Sequence, residues 1–567
     1  MTNVVNEDYD VVVVGSGGGG GMAAYRLTAL GVKVCLVEQG PNQAPEDIPM
    51  FQRNDEAPLR AIGTPDKNWG YFDNGICGTW LPDQPYTSDE GVDFSWYRAQ
   101  VVGGRTNHYA RHSPRMGPYD FIQGDLDGLS PNWPVAYDEM KPYYDATEAV
   151  VGISGVNTGM FNHPGTPEDI LQPAIAPRAY ELLMMASARK VGVPAFQRHN
   201  AILTRNLGDR LACFYATPCM RGCSIGAAFS SSTSLIPLAD KTGKLTIVTR
   251  AKVCTVETGA DGKATGVTFV DTQTGVEGRI KARAVVLAAS ACATAQILLT
   301  SGKAGSKDGL ANNSGQVGRN LTDTPAVRVT GKFASLENRP RYDEFGANMD
   351  HVYMPWWGYE AQKKGVMDFP RGYHIEVGQG FRDAPELNAM QQYSDRNGLA
   401  FGAGLRDDIR RHWGSFVYLD GRGEMVANEK SYCALDSEMK NKWGYPVLRF
   451  SFEWSDYEYN QIEHMQETFS TIIERAGGEV VSGLGAPKDE ISKPGGMVHE
   501  VGTTRMGTDP DATVCNPFGQ CWDVDNLYVM DGGVLPTNPH KNPTLHIMAL
   551  AYRNSENLAE RLRNGEI

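Results

Sequence analysis

The sequence predicts an α/β chain, α+β over its whole length. A parallel-sheet unit assembled from separated segments is expected beside a second unit of mixed or antiparallel sheet and helices. Three observations predict it. Strand, glycine turn, helix and strand follow one another before residue 39. Short apolar runs of the same strand character return far away, at 284–290 and 526–530. Between those two runs, 331–489 is rich in aromatic side chains and holds an amphipathic helix.

Tyr9 to Val14 is an apolar run of strand length with β-branched enrichment, which reads as a buried parallel strand. Gly15-Ser16-Gly17-Gly18-Gly19-Gly20 follows at once. Met22 to Leu30 carries helix formers and stops at Gly31, and Val32 to Glu38 is a second strand ending in an acid. This order is the dinucleotide-binding arrangement. Gly15 permits the tight turn, Gly17 lets backbone approach a pyrophosphate, and Gly20 lets the helix pack on the strand. The helix N-terminus offers free N–H groups and a positive dipole end to phosphate. Glu38 can accept hydrogen bonds from ribose hydroxyls. A glycine turn with no ligand is the weaker reading, because strand and acid flank it.

Leu245 to Val270 reads as short strands joined by the turn Gly259-Ala260-Asp261-Gly262. Ala284 to Ser290 is a buried strand feeding a helix over Ala291 to Leu299. Asn526 to Met530 is a strand closed by Asp531, Gly532 and Gly533, with Asp531 able to face a ribityl or phosphate group. One Rossmann-like nucleotide domain is therefore expected from 1–60, 95–130, 190–330 and 490–567. A substrate-binding cap is expected from 61–94, 131–189 and 331–489. In the cap, Tyr353, Trp356, Trp357, Tyr359, Tyr373, Trp413 and Tyr418 suit either sugar stacking or ordinary core, core being the commoner fate. Lys440 to Val447 reads as a turn into a strand. Asp456 to Arg475 reads as an amphipathic helix with Ile462, Met465, Phe469 and Ile473 at helical spacing.

Composition narrows the class. The 567 residues include 63 Gly, 53 Lys and Arg and 67 Asp and Glu, a formal net charge of −14. That balance argues against nucleic acid or anionic membrane as a partner. Ten cysteines in so long a chain are no small disulfide framework. No apolar run reaches the ~18 residues of a membrane span. The N-terminus has neither a charged-then-apolar leader nor twin arginines. The expectation is a cytoplasmic protein, or one exported on a partner that carries the signal.

Three cysteines, Cys213, Cys219 and Cys223, share the segment 211–226. Three thiolates on one short flexible loop can converge on a metal centre. The other reading is three buried thiols. The next cysteine, Cys254, lies in a predicted strand.

Ordered blocks then carry a resemblance across most of the chain. They are the N-terminal glycine motif, V-V-G-G-R-T-N-H at 101–108, W-P-V-A-Y-D at 133–138, V-G-R-N-L-T-D at 317–323, H-E-V-G-T-T-R-M-G at 499–507 and K-N-P-T-L at 541–545. They resemble the glucose–methanol–choline (GMC) family of FAD oxidoreductases, which implies the GMC fold and FAD as the dinucleotide. On that resemblance Gly15, Gly17, Gly20, Glu38, Gly103, Gly104, Asn107, His108, Asp531, Gly532, Pro543 and Thr544 would hold the cofactor. His499 would be the base that takes the hydroxyl proton while the carbon gives hydride to flavin N5. Asn542 would hold the substrate oxygen. Read from residues alone, His499 serves equally as a structural histidine, and Asn542 as a turn residue before proline.

The block at 102–109 with Ser113-Pro114-Arg115 is similar to pyranose 2-oxidases, where the histidine matching His108 bonds covalently to flavin. The cysteine loop is similar to the catalytic subunits of bacterial FAD glucose, gluconate, sorbitol and fructose dehydrogenases. There, cysteines at this spacing hold a three-iron [3Fe-4S] cluster, a small companion subunit carries the export signal, and a cytochrome c takes the electrons. The overall pattern is most similar to bacterial glucoside 3-dehydrogenases. It implies a dehydrogenase oxidising a secondary hydroxyl of a pyranose, at C3 of a glucoside, with a non-oxygen acceptor. The alternatives are a glucose or aldose C1 dehydrogenase and a pyranose oxidase using oxygen. Pyranose oxidases lack the cysteine loop. His540 and Lys541 before Asn542 depart from the small residues of relatives, which makes His540 a candidate substrate contact or a solvated loop residue.

Overall fold

In the computed structural model, residues 7–43, 77–78, 81, 83–215, 223, 225–302, 309–339, 350–380 and 403–567 are described. Two large sheets organise them. The first has seven strands, in the order Leu245–Val248, Val34–Val37, Asp8–Val14, Glu277–Leu287, Ala264–Asp271, Ala251–Thr258, with Leu527–Val529 also pairing with Glu277–Leu287. The strand Glu277–Leu287 serves three neighbours. Its first half runs antiparallel to Ala264–Asp271, and its second half runs parallel to Asp8–Val14 and Leu527–Val529. Val12 stands opposite both Cys35 and Val285 in register, so segments hundreds of residues apart close one buried sheet.

The first helix spans Gly18–Ala29 and thus begins inside the glycine run, earlier than the side-chain propensities from Met22 indicate. Glycine is a poor helix former, but close packing requires it here. A Cβ on Gly20 would strike the carbonyl of Gly15, and Gly15 itself turns at φ +94° against Ala288. This helix packs against the C-terminal helix Thr544–Arg563.

The second sheet has six antiparallel strands in the order Glu479–Ser482, Ala326–Lys332, Phe416–Gly423, Tyr373–Gly380, Val352–Met354, Phe196–Gln197. Its strands present an apolar face and a polar face in alternation, with a bulge between Thr330 and Gly331. Val327, Val329, Val352, Met354, Tyr373, Ile375, Val377, Val417 and Leu419 join one buried cluster beneath the helix Asp456–Arg475, whose Ile462, Met465, Phe469 and Ile473 fill it. Trp356 and Tyr373 belong to that core, so these aromatics are packing, not a sugar platform. The opposite face carries Tyr353, His374, Glu376, Asp420 and Arg422, with His374 paired in register with Arg422 and Glu376 with Asp420. The predicted turn before Val447 is also found, leading into a smaller sheet built from Tyr432–Lys440, Pro446–Ser451 and Thr87–Ser88. Among the described residues no helix is long and apolar enough to cross a membrane.

Candidate active site

The carboxyl ends of the parallel strands and the polar face of the second sheet enclose a cavity of about 390 Å³. Ligands of open α/β sheets bind at this end of the strands. Val14, Gly15, Gly17, Glu38, Gly104, His108, His499, Asp531, Gly532, Asn542, Pro543 and Thr544 all line it. Nothing lies within 4 Å of where a Cβ of Gly17 would stand, so the backbone there is open to a ligand. Glu38 is held at the strand end by the Ser16 N–H and hydroxyl, at 3.2 and 2.6 Å, and by the Gly40 N–H at 3.0 Å. Burial raises its pKa above the ordinary carboxylate range despite these donors. Asp531 accepts from Thr294 Oγ1 at 2.6 Å and from the Gly533 N–H at 2.8 Å, and burial pushes it up to about 6. A glycine cradle, a helix N-terminus and two acids at strand ends fit the pyrophosphate and sugar groups of FAD.

Three of the named residues stand behind the cavity wall. Gly20 sits at the helix–strand contact. Gly103 turns at φ +93°, close against Asn107 and Ser232. Asn107 ties that turn together, donating to the carbonyls of Val102 and Gly104 at 3.0 Å each and accepting from Ser232 Oγ at 2.7 Å. His108 does line the cavity, beside Tyr97, and burial with the charges of Arg111 and Arg105 pulls its pKa down to about 3.

His499 is aimed by strained backbone. Val498, a β-branched residue, sits at φ +62°, a conformation such residues rarely adopt. Arg105 spans the bend, donating to the Val498 carbonyl at 2.9 Å and to Glu500 at 2.6 Å. The block ending at Asp323 has its purpose here. Asp323 accepts the backbone N–H groups of His499 and Met497 at 2.9 and 3.2 Å, and the next residue, Thr324, places its hydroxyl 3.1 Å from His499 Nδ1. Burial and the charge of Glu500 push Asp323 up to about 7. Burial, then Arg422, pulls His499 down to about 3. The ring is therefore neutral at working pH.

Asn542 faces the same cavity, and its buried Oδ1 has no hydrogen-bond partner among the described residues. The segment before it is fixed at two points. His374 Nδ1 donates to the carbonyl of His540, and Lys541 pairs with Asp120 in nearly complete burial. His540 lines a separate cavity of about 340 Å³ and is only 3 % exposed, so it is not a solvated loop residue.

Sequence reading missed His112, Glu376 and Arg422, which also line the main cavity. The signal was present in the alternation H-I-E-V at 374–377, whose polar members had no place in a core.

The cysteine loop is gathered at a neck. The Leu211 N–H donates to Ile225 at 3.3 Å, and the Cys213 N–H donates to Leu203 at 2.9 Å, whose own N–H reaches Ala227 at 2.9 Å. Cys213 and Cys223 thus lie on the two limbs, and Cys223 Sγ accepts the Ala228 N–H at 3.5 Å. Cys219 lies outside the described residues.

Known proteins agree with this architecture. The GMC oxidoreductase family profiles match residues 132–326 and 427–551, and an FAD binding domain profile matches 10–45. The chain is 32% identical over 560 residues to a 2-methyl-1,2-propanediol dehydrogenase of Mycolicibacterium austroafricanum, covering 97% of this chain and 95% of that one. It is 26% identical to the fructose dehydrogenase large subunit of Gluconobacter japonicus, covering 98% of each. A solved formate oxidase structure from Aspergillus oryzae shares the fold, with a TM-score of 0.66 at 15% identity over 98% of this chain and 99% of that one. With a relative above 30% identity along nearly its whole length, and with its FAD cradle in place, the chain belongs to the GMC oxidoreductase family.

Proposed function

We propose that the protein is an FAD-dependent dehydrogenase of a sugar or polyol hydroxyl, and that C3 of a glucoside is the position oxidised. The observation that carries the reading is the convergence on the cavity of the glycine cradle of a neutral His499 and of Asn542, whose Oδ1 has no partner among the described residues. With Nδ1–H given to Thr324, His499 Nε2 holds a lone pair and takes the substrate hydroxyl proton. Asn542 holds the substrate oxygen in register. FAD, when bound, supplies the hydride acceptor, and a link through His108 would fix its ring. The names of the two relatives above, a diol and a fructose dehydrogenase, support a polyhydroxyl substrate. The resemblance to glucoside 3-dehydrogenases supports C3.

Electrons would leave through a [3Fe-4S] cluster on Cys213, Cys219 and Cys223 to an external cytochrome c, with a small companion subunit. A contiguous backbone route supports this. The Arg111 carbonyl, near cavity residues Tyr109 and Ala110, accepts the Ala201 N–H at 2.8 Å. The Ala201 carbonyl accepts the Phe229 N–H at 2.9 Å, and Phe229 follows Ala228, whose N–H reaches Cys223 Sγ. The test is product identification from methyl glucosides with an artificial electron acceptor. A 3-keto glycoside is expected. A lactone would place oxidation at C1, and peroxide formed without iron would make the chain an oxidase.

A further inference from the structure

Glu376 and His112 form a second polar station in the cavity that holds His499. His112 is 1 % exposed, and its Nδ1 lies 3.2 Å from Glu376 Oε1. A carboxylate only accepts, so the proton sits on Nδ1 and Nε2 keeps its lone pair. That Nε2 is buried and has no hydrogen-bond partner among the described residues. Arg422 orients Glu376, whose Oε2 lies 3.6 Å from the guanidinium, itself held by Asp420 at 2.9 Å. A buried acceptor left unsatisfied is costly, and a ligand that donates to it recovers that cost.

The two stations are neighbours. Glu376, His374 and Arg422 all act electrostatically on His499, and His112, Glu376 and Arg422 line the cavity it lines. His499 Nε2 and the Asn542 amide suffice for one hydroxyl, so a ligand that satisfies His112 needs another donor close by.

We propose that His112, its tautomer set by Glu376, recognises a second hydroxyl beside the one oxidised, so that the substrate class is the neighbouring-hydroxyl pair of sugars and small polyols. This rests on the reading of the cavity as an alcohol-oxidising site and adds its specificity. A site built to accept from a hydroxyl rejects analogues that lack it far more strongly than an apolar pocket rejects a missing methylene.

The experiment uses the intact flavoprotein and follows anaerobic bleaching of its flavin by 1,2-propanediol, 1-propanol and 2-methoxy-1-propanol. The methoxy oxygen accepts but cannot donate. The diol is expected to exceed both others by about 10²-fold or more in kcat/KM. His112→Phe should lower the diol-to-1-propanol ratio in kcat/KM by about tenfold or more. Glu376→Gln should also weaken it, because the Gln amide can donate to Nδ1 and turn Nε2 into a donor. Its relative rate with the methoxy analogue should then rise. Equal bleaching by all three in the wild type overturns the inference without a variant and leaves alcohol oxidation standing. Loss of all three rates in parallel in His112→Phe, with flavin spectrum and melting unchanged, also overturns it. A divalent metal at one per chain that His112→Phe removes would give these side chains another task and overturn it too. Bleaching by none of the three, nor by glucose or a methyl glucoside, overturns the alcohol-oxidising reading and this inference with it.

Discussion

Lys541 of the catalytic segment pairs with Asp120, each side chain 1 % exposed. Asp120 is held in turn by the Gly117 N–H at 2.6 Å and by Asn162 Nδ2 at 3.0 Å. A buried charge is tolerated only with its partner. Lys541, one of the departures from small residues before Asn542, is thus a clamp on the residue next door.

Asp120→Asn leaves the Lys541 ammonium buried and unpaired, and should destabilise the protein by about 3–5 kcal/mol. The double variant Asp120→Leu, Lys541→Met should recover much of that stability, since apolar replacement of a buried pair is often neutral. Its turnover should stay about tenfold or more below wild type, because Asn542 loses its register. Thermal melting and steady-state kinetics of the three proteins read both effects. Full activity in the stable double variant would remove the clamp.

The depressed pKa of His499 has a directional consequence. An ordinary imidazole titrates near 6.5, whereas burial and Arg422 bring this one to about 3. A lowered pKa keeps the base form as pH falls. The kcat/KM for flavin reduction should therefore show no His499 limb until below about pH 5. The unfolded chain, protonating near 6.5, gains protons first, so this group's contribution to stability is full above that pH and lost progressively toward 3. Stopped-flow reduction from pH 4.5 to 8, with fluorescence melting over the same range, tests both. An acid limb at pH 6–7 assigned to His499 would contradict the burial.

Cys213→Ser and Cys223→Ser should each lower iron and acid-labile sulfide by more than half while sparing flavin bleaching by substrate. Reoxidation by a cytochrome-type acceptor should slow by about tenfold or more. EPR of the oxidised wild type should show an S = ½ signal near g = 2. Unchanged iron in both variants would dissociate these cysteines from any cluster.

Local chemistry made the nucleotide half readable in the sequence. Gly15 and Gly20 are demanded by close backbone contacts, and Glu38 by the strand end, so each leaves a short-range signature. The helix Asp456–Arg475 was legible for the same reason, its buried side recurring at helical spacing. The cap side of the site was not. His112 and Glu376 are 264 residues apart and meet only because an antiparallel strand turns its polar alternates toward the first sheet. Asp323 was visible as a motif, but its task, holding the His499 backbone, exists only after folding. His540 shows where sequence adjacency and spatial adjacency part. Adjacency to Asn542 in sequence implied adjacency in the cavity, yet the tight turn closed by the Lys541 N–H and Pro539 carbonyl, 2.6 Å apart, coincides with their placement in different cavities.

The most direct test of the account is anaerobic reduction of the bound flavin by a panel of sugars, glycosides and polyols, in wild type and His499→Ala. At least one polyhydroxyl compound should bleach the wild-type flavin. The variant should keep its flavin and its melting temperature while bleaching about 10²–10⁴-fold more slowly. A wild-type flavin that no alcohol reduces, or a His499→Ala protein that bleaches at the wild-type rate, would contradict the assignment of this cavity as the site of oxidation.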